Sequence, residues 1–246
     1  MAMKTICLTS WVLFTCLGVP FHTSAQSEQP GYQVSVRELT IPRKALHEFQ
    51  EGVDLLAKKD PAGSLPHFQR AILEYAGYYE AYDRIGAAEL KLWRIPEAEQ
   101  AFRKSVEVSA GQYAHPLLAL GAILDGRKEF SEADSVLRRG LNLAPTSWQG
   151  HYYLALALFG LNRLADAEES VRESLRRKMD FPQAYLLLAD IHRRTEDYHS
   201  LISDVNEYLR IAPDGPAGNE VRALRESAER MILGPQTAAT SAEAQP

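Results

Sequence analysis

Residues 114–147 read AHPLLALGAILDGRKEFSEADSVLRRGLNLAPTS. In the first half, Leu117, Leu120, Gly121 and Leu124 recur at helical spacing; in the second, Ala133 and Leu137 stand four apart, and Pro145 closes the stretch. Offsets of three and four place each set on one face of a helix. Two helices are predicted, each with a small residue that lets the backbones approach while bulky neighbours fill the space beside it.

The pattern repeats in both directions. Small residues recur at Gly52, Gly86, Gly121, Ala155 and Ala189, with spacings of 34, 35, 34 and 34. The column Ser64, Ala98, Ala133, Ala167, Leu201 and the column Phe68, Phe102, Leu137, Val171, Val205 carry the same spacings, so one extra residue lies between the second and third repeats. A period in this range marks stacked helical repeats. Tyr82, Ile85 and Gly86, and likewise Tyr185, Leu188 and Ala189, repeat the first-helix pattern, and Ala98 with Phe102 the second. Pro145 and Pro213 end the second helices of repeats three and five. Charge placement agrees with these boundaries. Asp60-Pro61 is a capping carboxylate before an N1 proline. Acidic pairs (Glu97 and Glu99, Glu132 and Asp134, Asp166 and Glu168) open second helices, and basic groups such as Lys58-Lys59, Arg176 to Lys178 and Arg193-Arg194 close helices, as the helix dipole favours. An anionic-ligand patch is the other reading of Arg176 to Lys178.

From about Ala45 to Pro213 these columns resemble the tetratricopeptide repeat (TPR) family. The resemblance implies an all-α fold: a right-handed α-solenoid of five TPR helix-turn-helix repeats at about 45–78, 79–113, 114–147, 148–181 and 182–215, together spanning 42–215. Glu48 and Glu51 replace apolar residues in repeat one and Glu89 an aromatic in repeat two, while Leu201 in the small column suggests different packing of the last repeat. Residues 216–233, with Val221, Leu224, Ala228 and Ile232 at helical spacing, are expected to form a helix that caps the exposed end of the stack.

Outside the repeats the chain reads as address and tail. Lys4, an apolar run from Ile6 to Val19 and the small residues Thr23-Ser24-Ala25 predict a signal peptide over 1–25, and hence an exported protein, periplasmic or secreted. The apolar run is short of the roughly 20 residues that span a bilayer, so no membrane span is expected in the mature chain. A lipoprotein signal ending at Cys16 is the rival reading. Both cysteines, Cys7 and Cys16, precede Ala25, so cleavage there would leave 221 of the 246 residues, free of cysteine. Residues 26–41 read as an extended linker and 234–246 as a disordered tail.

Composition narrows the functional classes. With 46% apolar and 24% charged residues the chain is an ordinary globular sequence, and a net charge of −5 argues against nucleic acid as partner. No phosphate loop, nucleophile elbow or helical histidine pair occurs, so no catalytic residue, cofactor or metal site is expected. His151 falls in an aromatic column and reads as core; Asp190 and His192, two apart, fall on different helix faces.

The resemblance instead implies a concave wall of first helices that grips a protein or peptide segment. Its groove positions would be Phe49/Val53, Asp83/Ala87, Leu118/Ala122, Tyr152/Leu156 and Leu186/Asp190. The Lys and Asn with which co-chaperone TPR proteins hold a carboxylate tail are missing from them. The candidate groove set is Glu80, Asp83, His115, Leu118, Asp125, Gln149, Tyr152, Gln183, Leu186 and Asp190. Tyr152 and Leu186 read equally as core, and Phe159 as core; Asp83 and Asp190 are expected at the surface because an unpaired carboxylate resists burial. This predicts a non-enzymatic interaction scaffold. The alternative, a glycan-binding protein or hydrolase, would use Tyr152 beside Asp125 or Asp190.

Overall fold

The computed structural model describes residues 40–233; the expected signal peptide, all but the last two residues of the linker and the tail lie outside them. The described residues form eleven helices and no strand: α1 Arg43–Ala57, α2 Pro61–Glu74, α3 Tyr79–Lys91, α4 Ile95–Val108, α5 Ala114–Gly126, α6 Phe130–Leu143, α7 Trp148–Gly160, α8 Leu164–Arg177, α9 Pro182–Arg194, α10 Tyr198–Ile211 and α11 Gly218–Leu233. They belong to two compact units, one ending at Pro145 and the other beginning at Thr146.

In the first unit α1/α2, α3/α4 and α5/α6 pair as antiparallel hairpins, and α2 packs on α3 and α4 on α5. The small and bulky columns meet inside each hairpin. A methyl group placed on Gly52 would lie 2.7 Å from the Phe68 ring, one on Gly86 2.7 Å from Phe102, and one on Gly121 2.3 Å from Leu137. Phe68, Phe102 and Leu137 are themselves fully buried. Only glycine fits beneath these side chains.

The second unit pairs α7 with α8 and α9 with α10, packs α9 on α8, and lays α11 on α10. Here the two columns hold Ala155 with Val171 and Ala189 with Val205, all buried. Leu201, the large member of the otherwise small column, joins Val205 and Tyr208 in a cluster that Val221 and Ala228 of α11 complete. The extra volume is thus taken up where the last hairpin meets α11.

All five hairpin turns have one conformation. Lys59, Trp93, Lys128, Asn162 and Glu196, each seven residues after the small-column residue, adopt φ between 59 and 63°. In each, the amide two residues past the helix C-cap bonds five residues back, as Asp60 N–H to the Leu55 carbonyl (2.9 Å) and Asp197 N–H to that of His192 (2.9 Å). This is the Schellman closure, which satisfies carbonyls that the helix end leaves open. N-caps follow the sequence in part: Asp60, Ser147 and Asp197 accept from the amides of Gly63, Gly150 and Ser200.

Candidate partner-binding face

When each hairpin has spent its small and bulky columns on internal packing, one further stripe of each first helix is left. Offsets of three, four and three place Leu46, Phe49, Val53 and Leu56 on one face of α1, Glu80, Asp83, Ala87 and Leu90 on one face of α3, and His115, Leu118, Ala122 and Asp125 on one face of α5. In the second unit the stripes are Gln149, Tyr152, Leu156 and Phe159 on α7, and Gln183, Leu186, Asp190 and Arg193 on α9.

The stripes differ in exposure. All four apolar residues on α1 are half-buried, as are Glu80, Ala87 and Leu90 on α3; on α5 only His115 is, whereas Leu118, Ala122 and Asp125 are buried. Of the second-unit candidates, Gln183 is half-buried, while Gln149, Tyr152, Leu186 and Asp190 are buried. The Tyr152 ring meets Phe181 edge-on, with centroids 4.8 Å apart. That ring belongs to the core, so the Tyr152 grouping offers no open aromatic face for a sugar.

Asp83 and Asp190 depart from the expected surface position, for the same reason: each has a partner. Asp83 is wholly buried, its Oδ1 2.5 Å from Nδ1 of His115 on α5. The Asp190 carboxylate accepts from Nε and Nη2 of Arg193, one turn on, at 3.2 and 3.0 Å. Burial pushes its carboxyl upward and Arg193 opposes that. Glu89, in an aromatic column, is likewise buried and held by Arg94 at 3.4 Å. Asp125 is the exception. Both of its oxygens are buried without a hydrogen-bond partner, and desolvation raises its carboxyl well above the ordinary range.

One charged cluster joins side chains of three helices. Nδ1 of His192 on α9 lies 2.6 Å from Asp204 of α10, and Nε2 lies 3.1 Å from Glu168 of α8. Arg172 in turn contacts Glu168 at 2.5 Å. The hydrogen bond to Asp204 raises the imidazole above its ordinary range, with Glu168 adding to it and burial opposing. Burial also pushes Asp204 upward, but the imidazolium and Arg172 act the other way; the short contact is that of an ionised pair. A raised histidine stabilises the fold fully below its unfolded value, about 6.5, and ceases to as pH climbs through its folded one. From about pH 6.5 upward, wild-type melting temperature should therefore decline more steeply than that of His192→Gln. Parallel calorimetric profiles would show that His192 is not charged.

No three His, Cys, Asp or Glu side chains among the described residues converge as a metal set, and no described helix is long and apolar enough to cross a membrane. No family model and no curated protein matches the sequence. Solved structures do. PilW, described as a widely conserved type IV pilus biogenesis factor, is similar with a TM-score of 0.66 and 15% identity, over 81% of this chain and 90% of its own. MamA from Desulfovibrio magneticus RS-1, residues 41 to the end, gives 0.62 and 18% over 72% of this chain and 99% of its own. YrrB, described as a TPR protein with an unusual peptide-binding site, gives 0.61 and 14% over 73% and 92%. At such identities the likeness is one of architecture, and it agrees with the phased columns: the chain has the tetratricopeptide-repeat fold.

Proposed function

We propose that this protein is a non-enzymatic scaffold that acts after export, in the envelope or outside the cell, and holds a segment of another protein against the stripes of its first helices. The reading takes 1–25 as the leader, 42–215 as the binding solenoid and 216–233 as its cap. One observation carries it. Leu46, Phe49, Val53, Leu56 and Leu90 are apolar, lie in matching register on α1 and α3, and stay only half-buried while their inner edges pack against the hairpin cores. Apolar groups aligned beside Glu80 suit a segment with spaced apolar anchors. The pilus role stated for PilW and the peptide site stated for YrrB lend support, since both share the fold.

The test is a photo-cross-linking amino acid at Ala87, half-buried in the stripe of α3. In envelope extracts it should yield one discrete adduct that Glu80→Lys diminishes. The same group at exposed Arg138 of α6 should yield none. Equal adducts from both positions, or none from Ala87, would remove the reading.

A further inference from the structure

Asp125 is the one carboxylate among the described residues whose two oxygens are both buried and both without a hydrogen-bond partner. Other acidic groups of the first unit are satisfied internally: Asp83 by His115, Glu48 by Arg70, and Glu99 by Arg103 and Arg127. The fold does not call for a charge there. The same register position holds Leu56 on α1, Leu90 on α3, Phe159 on α7 and Arg193 on α9, so within the first unit an apolar residue serves packing there. An ionised group in this setting is costly until a counter-charge meets it.

We propose that Asp125 is a socket for a guanidinium carried by the bound segment. The inference rests on the scaffold reading above and names the chemistry of its partner. Asp125 shares its helix face with His115 and Leu118, and the Asp83–His115 contact holds α3 beside α5. Across the twelve stripe positions of α1, α3 and α5 there is no Lys or Arg to answer Asp125, and the one histidine, His115, is engaged with Asp83. Charge complementarity therefore selects a basic segment, with apolar residues set against α1 and α3 and one arginine directed at Asp125. Arginine suits the place better than lysine, because its planar fork is weakly hydrated and can bond both carboxylate oxygens together.

The probe is an array of synthetic helical peptides with apolar residues at i, i+3 and i+7 and either arginine or citrulline at each remaining position. Citrulline keeps the shape of arginine and removes its charge. The full wild-type chain should retain arginine peptides, and citrulline replacement should weaken them by about tenfold or more. With Asp125→Asn the two peptide types should bind within about twofold of each other. Retention that Ala87→Arg abolishes but that ignores both citrulline and Asp125→Asn would overturn the socket and leave the scaffold reading standing. An array with no peptide sensitive to Ala87→Arg would overturn both. Asp125→Asn should melt at or above the wild-type temperature. A lower value would mean that the carboxylate serves the fold, and would overturn the proposal.

Discussion

Gly121→Val is expected to destabilise the protein by about 3 kcal/mol, enough to lower its melting temperature by roughly 10 °C. Even a methyl group at that position would lie 2.3 Å from Cγ and 2.4 Å from Cδ2 of Leu137, and Leu137 is fully buried with nowhere to retreat. A branched side chain would force α5 away from α6 and open a contact that runs the length of the hairpin. The partner residue supplies the control. Where the second unit has alanine in the small column, its bulky column has valine: Ala155 with Val171, and Ala189 with Val205. Gly121→Ala with Leu137→Val copies that pairing and should recover most of the loss that Gly121→Ala alone incurs. Denaturant unfolding of the single and double variants decides it; simple addition of the two single effects would mean that these columns do not act as pairs.

Phe102→Ala should cost about 3–5 kcal/mol, the range for emptying a large aromatic site. Phe102 has no exposed surface, covers Gly86 across the α3/α4 hairpin, and meets His115 of α5 edge-on with centroids 6.3 Å apart. The loss would reach beyond its own hairpin, because His115 is the partner that lets Asp83 stay buried. Hydrogen exchange should accelerate across α3 and α4 and at the start of α5. The exposed Arg138→Ala should change stability by no more than about 0.5 kcal/mol. A loss below about 1 kcal/mol for Phe102→Ala, well under the usual cavity range, would contradict the packing described.

The fold was legible because its information is local and repeated. Three columns in a common phase announce five hairpins, and the exchange of Gly/Phe for Ala/Val between repeats is a record of volume kept constant in one contact. The face left over was legible only as a register. Helical spacing put Asp83 and Asp190 on it, but spacing is blind to a partner on another helix: His115 is 32 positions from Asp83. The Asp190–Arg193 pair, three residues apart, was within reach of inspection. His192 hid for the first reason. Its two acidic neighbours lie 24 and 12 positions away on different helices, where no pattern of i and i+4 extends. Asp125 is the reverse case, a polar residue in an apolar helix with no partner near or far.

Within each unit the extensive contacts join helices that follow one another directly or with one helix between. No distant ends have to find each other, so chain closure costs little entropy at any step. Such a chain can consolidate from whichever end emerges first, each hairpin serving as template for the next. A protein built this way is suited to any route that delivers it gradually through a narrow opening.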